Sequence, residues 1–171
     1  VGAGFGAPMV LRYLLEFCST VAEAARVLRR LPVHMADNIL LLDRSGDFTT
    51  AYTRPDGSTI LYRTPASTNH QDRIAWARHA AATATLERER RLFELLGNRQ
   101  LSETGFTNAF LQPPLFQTNY HKGYGTLYTA IYRPAAGKVE YRWRNRTLTL
   151  GLSDFSDQTV TVELPEAAGR V

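Results

Sequence analysis

The chain has 171 residues, 44% apolar and 21% charged, with a net charge of +4. That is enough for one ordinary soluble domain with a real core, and no apolar run approaches the roughly 18 to 20 residues of a membrane span. A single cysteine, Cys18, excludes an intramolecular disulfide and a Cys-rich metal site, and fits a reducing compartment, so a cytoplasmic protein is expected. The positive charge is interleaved with acids, as in Glu87-Arg88-Glu89-Arg90-Arg91, which describes a solvated helix face better than a nucleic-acid surface. No nucleic-acid partner and no membrane partner are expected.

The first segment is predicted to be helical. Pro8 suits a first-turn position, and Val10, Leu11, Leu14, Leu15 and Phe17 recur at helical spacing. Thr20 with Glu23 three residues on makes a capping-box pattern for a second helix over 21–31, which places Val21, Ala24, Ala25, Leu28 and Leu31 on one face and stops at Pro32. Strands are predicted at 34–43, 48–54 and 59–62, separated by Ser45-Gly46 and Pro55-Asp56-Gly57 turns, an antiparallel meander. A loop over 64–71 leads to one long helix over 75–97, ended by Gly97 at a C′ position. Residues 98–124 read as a long loop, of the kind that is functional or mobile. Strands at 125–133 and 138–144 form a hairpin around Pro134-Ala135-Ala136-Gly137, continued by 147–151, and 159–164 followed by Pro165-Glu166 reads as an edge strand. Runs of helices and runs of strands, without βαβ alternation, predict an α+β fold with antiparallel sheet.

Few residues offer chemistry. The four histidines, His34, His70, His79 and His121, show no HxxxH or HExxH spacing, so neither a metal nor a cofactor is expected. Cys18 follows an amphipathic helix among Phe17, Ser19 and Thr20, none of which could act as a base, and reads as a small packed hydrophobe. Asn69, in Thr68-Asn69-His70-Gln71, has two readings: it can offer its side-chain N–H to a developing oxyanion, or it can cap a turn. The pair Gly4 and Gly6 lacks a preceding strand and a third glycine, so no phosphate loop is inferred. The aromatics Phe110, Phe116, Tyr120 and Tyr124 either pack internally or line an acyl pocket.

Four segments in order resemble one family. They are Gly4-Phe5-Gly6-Ala7-Pro8 with the helices behind it; Asn38-Ile39-Leu40-Leu41-Leu42-Asp43 with Ser45-Gly46; Thr68-Asn69-His70 with Thr85-Leu86-Glu87-Arg88-Glu89-Arg90-Arg91-Leu92; and 125–132 with Pro134. The set resembles the acyl-coenzyme A:6-aminopenicillanic acid acyltransferase-like N-terminal-nucleophile (Ntn) hydrolases, relatives of the choloylglycine hydrolases. The resemblance implies a four-layer αββα sandwich. It also implies an N-terminal cysteine, exposed by autocatalytic cleavage, that attacks an amide or thioester with its own α-amine as base and passes through an acyl-enzyme. An α-amine has a pKa near 8, so it can accept a proton near neutrality.

On this resemblance Asn69 falls on the oxyanion asparagine. Arg88 falls on an arginine near the nucleophile, with Arg78 as its rival, and Asn38 on a residue that supports the strand-turn geometry. Two departures stand out: Ser67 and Gln71 flank the matching core, and Thr53-Arg54-Pro55 lacks an acidic residue before the proline. The chain opens on Val1-Gly2-Ala3 without an initiator Met. It is therefore expected to be the C-terminal portion of a single Ntn domain over 1–171. The nucleophile would lie before residue 1, on a segment or chain of the same protein that acts as partner, and the fragment alone would be inactive. The expected substrate is a small amide or thioester, and homo-oligomerisation is left open. The competing reading is a non-catalytic Ntn relative or small-ligand-binding domain.

Overall fold

The computed structural model describes residues 1–164. They form two compact units, Val1–Glu89 and Arg90–Val171 by chain range, built from helices and two three-stranded antiparallel sheets.

In the first unit, helix α1 (Ala7–Phe17) starts with proline in its first turn, where a missing N–H costs nothing. Only Val10 and Leu14 are buried on it, an i,i+4 pair, while Leu11, Leu15 and Phe17 are exposed. The apolar stripe is narrower than the sequence spacing implies. Helix α2 (Val21–Leu28) carries the full capping box: the Thr20 side chain accepts from the Glu23 N–H, and Glu23 accepts from the N–H groups of Ser19 and Thr20. It ends at Leu28 and not at Leu31: the Arg30 amide reaches back only three residues, to the Val27 carbonyl, and the chain tightens into a turn.

Strands β1 (Asp37–Leu42), β2 (Phe48–Thr53) and β3 (Thr59–Tyr62) form the predicted meander, with Ile39 opposite Ala51 and Ala51 opposite Leu61. This face packs on Val10, Leu14, Ala24, Leu28 and Val33 to make the core. Alternation sends Asn38, Leu40, Thr50, Tyr52, Ile60 and Tyr62 to the opposite face. The N-terminal segment is tied to the core by a parallel bridge between Phe5 and Val33. A Cβ on Gly4 would come within 2.6 Å of the Pro32 and Val33 backbone, so glycine is needed there for close chain approach.

The single helix expected over 75–97 is two: α3 (Ala77–Ala82) and α4 (Thr85–Gly97). The break is at Ala84, whose φ of 49° is left-handed and cannot continue a helix. Helix α4 runs from the first unit into the second. Gly97 closes α4 as its last residue and is absent from the positive-φ glycines, so it is not a left-handed C′ residue.

The second unit adds α5 (Glu103–Ala109), capped by Ser102 onto the Gly105 N–H, inside the segment expected to be loop. The Ser102-Glu103 start was a readable capping signal hidden by the polar composition around it. A 3₁₀ turn covers Tyr120–Lys122. Strands β4 (Thr129–Arg133), β5 (Lys138–Arg142) and β6 (Thr147–Gly151) form the second meander, its first turn closed by Gly137 at φ 60°. Strand β4 starts four residues later than expected. Residues 159–164 are not a strand, and Pro165-Glu166 lie outside the described residues. Arg142 joins β5 to α5 by donating to Thr107 Oγ1 and Asn108 Oδ1 at 3.0 and 2.6 Å. Among the described residues no helix is long and apolar enough to cross a membrane.

Candidate active site

The site is built on the face of the first sheet that looks away from the helices. Two side chains on that face draw in the loop after β3 by its carbonyls. Thr50, fully buried, donates to Thr64 O at 2.8 Å. Asn38 Nδ2 donates to Thr68 O and His70 O at 2.7 and 2.6 Å, using both amide hydrogens and gripping the chain on either side of Asn69. The structure thus places Asn38 beneath the loop that bears Asn69. Gln71 finishes the loop, donating to Asp37 O and Thr53 O at 3.2 Å while its Oε1 accepts from Arg54 Nε at 3.0 Å. Arg54 also pairs with Asp72 at 2.6 Å. Gln71 and Arg54 are two of the positions where the sequence departs from the resembled pattern, and the structure brings them into direct contact.

The first turn of α4 meets this loop from the other side. Thr85 Oγ1 accepts from the Asn69 backbone N–H at 2.8 Å. Arg88 Nη1 donates to Asn69 Oδ1 at 2.8 Å. A guanidinium has only donors, so the amide atom facing it must be oxygen. This leaves Nδ2 of the exposed Asn69 as the group free to donate to a ligand. Arg88 is half-buried, and burial pushes its guanidinium down from the ordinary arginine value. Its Nε is buried with no hydrogen-bond partner among the described residues. A desolvated cation with a free N–H is a strong attractor for a negative charge brought close to it. The rival Arg78 lies exposed on α3.

His70 sits between the loop and α4. Its Nδ1 is 3.2 and 3.0 Å from the hydroxyls of Thr68 and Thr85, and its Nε2 is 3.4 Å from Glu89 Oε2. Sequence reasoning had treated it as one scattered histidine among four, because its partners Thr85 and Glu89 are remote in sequence.

The aromatic candidates all belong to the second unit. Phe110 follows α5 and stacks edge-on with Phe106. Phe116 is buried, with the Arg144 guanidinium 4.9 Å above its ring. Tyr120 donates to Thr126 O at 2.6 Å, and its ring fills the space where a Cβ on Gly125 would stand. Burial raises the Tyr120 phenol above its usual value. Tyr124 is half-buried beside it in sequence. Cys18 is half-buried after α1, and its thiol is raised, chiefly by desolvation and then by Glu23, the opposite of an activated nucleophile. Among the described residues no group of three or more His, Cys, Asp or Glu side chains is placed to hold a metal ion.

Residues 1–163 match the model of the acyl-coenzyme A:6-aminopenicillanic acid acyl-transferase family. The chain belongs to this family. The match extends over the chain ranges of both compact units. Comparison with curated proteins and with solved structures returns no match. Membership of the acyl-transferase family points to activity of the acyltransferase or hydrolase type.

Proposed function

We propose that this chain supplies the oxyanion-binding part of a cysteine Ntn hydrolase or acyltransferase, which cleaves or transfers the acyl group of a small linear amide or thioester through an acyl-enzyme. The observation that carries the reading is the Arg88–Asn69 hydrogen bond, which commits Oδ1 and leaves Nδ2 as donor. When a nucleophile adds to a carbonyl, charge moves to the oxygen, and a donor already fixed in place stabilises that charge without reorganising. The unpaired Arg88 Nε adds a cation to the same locality, where it favours a thiolate or an oxyanion.

In this reading the attacking thiol is not Cys18, which has no α-amine and has a raised pKa. It is the N-terminal cysteine of a further segment or chain of the same protein, exposed by autoproteolysis, and its α-amine serves as base. The fold is then part of an αββα sandwich. Phe110, Phe116, Tyr120 and Tyr124 are the candidates for the acyl-binding side.

The test uses the complete protein and a panel of amide and thioester substrates. Asn69→Ala is expected to lower kcat about 10²-fold or more while KM changes little. An unchanged kcat returns Asn69 to turn capping, and the non-catalytic alternative then stands.

A further inference from the structure

We propose that Thr85 is a positioning residue for Asn69, with His70 and Glu89 holding the Thr85 hydroxyl in register; this rests on the oxyanion reading above. The left-handed turn at Ala84 makes Thr85 the first residue of α4. One helical turn then brings three groups to one side, since residues i, i+3 and i+4 share a face. Thr85 meets the backbone N–H of Asn69, Arg88 meets its side-chain oxygen, and Glu89 meets the ring of the next residue, His70. Asn69 is thus fixed at both its main chain and its amide by the same turn of helix.

The hydrogen count supports this assignment. Thr85 is fully buried, and its hydroxyl has one proton and two lone pairs. Around that oxygen stand the Asn69 N–H at 2.8 Å, Thr68 Oγ1 at 2.8 Å and His70 Nδ1 at 3.0 Å. The Thr85 hydroxyl donates to Thr68 Oγ1, which in turn donates to Thr85 O at 3.1 Å, so both Thr85 lone pairs remain, one accepting from the Asn69 N–H and one facing His70 Nδ1. Removing the Thr85 hydroxyl leaves a half-buried N–H without its acceptor and lets the Asn69 peptide rotate, which moves Nδ2 from the position it must hold in advance of the reaction.

The experiment is a mutant cycle in the complete protein. Thr85→Val keeps the shape and removes the acceptor, and is expected to lower kcat about tenfold or more with KM little changed. Thr85→Ser restores the hydroxyl and most of kcat. On an Asn69→Ala background, Thr85→Val lowers kcat no further, because its effect passes through Asn69. Should Thr85→Val not fold, Glu89→Met replaces it, with a smaller loss of kcat that also vanishes on the Asn69→Ala background. The proposal is overturned by an unchanged kcat in the substituted protein, or by an equal loss on both backgrounds. A wild-type kcat in Asn69→Ala alone sinks the oxyanion reading and the positioning role with it.

Discussion

Arg88 shows how one side chain acquires a role that its neighbours in sequence lack. It stands in a run of charged residues on α4, of which Arg91 pairs with Glu94 and Arg90 is exposed. Only Arg88 combines burial, a bond to Asn69 and an unpaired Nε. In the complete protein Arg88→Met is expected to lower kcat by about 10- to 100-fold, because both the anchor of Oδ1 and the local cation are lost. Arg88→Lys should fall between, since a point charge cannot replace a planar fork. Steady-state kcat and KM for the two variants check this. The local charge pattern alone left Arg88 level with a solvated arginine, and no sequence spacing reveals that its Nε has no partner. The converse holds for the Gln71–Arg54 contact: two departures from a family pattern, 17 positions apart, read as unrelated until the hydrogen bond between them is seen. Substituting Arg54 leaves Gln71 Oε1 without this donor, and substituting Gln71 leaves Arg54 Nε without this acceptor.

At the level of elements, the sequence was most legible where one residue type has one local job. Proline at the start of α1, the Thr20–Glu23 box and the turn glycines all sit where their chemistry demanded. It was least legible where tertiary structure overrode propensity. Residues 75–97 are rich in helix formers, yet Ala84 leaves the helical region so that Thr85 and Arg88 can meet the loop. The capping box gives a stability prediction. Thr20→Ala is expected to cost about 1 kcal/mol, measured by denaturant titration. Glu23 is held below its ordinary value, chiefly by the Ser19 N–H and next by the Thr20 N–H. Asp43 is held down first by the Ser45 hydroxyl and next by the Val21 N–H, which opens α2. A carboxylate whose folded pKa is depressed contributes stability above its unfolded pKa and loses it as pH falls through the folded value. Thermal stability of α2 should therefore decline below the ordinary carboxylate range, and less steeply in Glu23→Gln. An acid series of melting temperatures for the two proteins tests this.

For the whole molecule, class was readable from the order of helix and strand signals, whereas the division of the chain was not. A helix that continues through residue 89 gives no compositional sign that contacts regroup there. In the first unit the core gathers around Leu28, 1% exposed, and in the second Val139 is buried to the same degree. Leu28→Ala is expected to cost roughly 2 to 5 kcal/mol, seen as lost amide-exchange protection in β1 and β2.

The loop whose carbonyls Asn38 and Thr50 hold, and whose own Gln71 bonds back to the sheet, also governs where the intact chain can be cut. A protease needs a stretch of chain that can straighten into its cleft, and carbonyls already bonded to a sheet resist that. Residues 64–71 contain no Lys or Arg, so trypsin reads this hold only at its two borders, Arg63 and Arg73. Arg63 at their border is itself bonded to Asp47 and to Phe48 O. Just beyond the held segment lies the exposed Arg73, and in this region the first nick is expected after it. Mass spectrometry of the early fragments would show the cut, and in Asn38→Ala the cleavage should spread back to Arg63. The segment bearing Asn69 is in this sense a strip of protected chain with an open end, and a digest can read that boundary before any substrate is known.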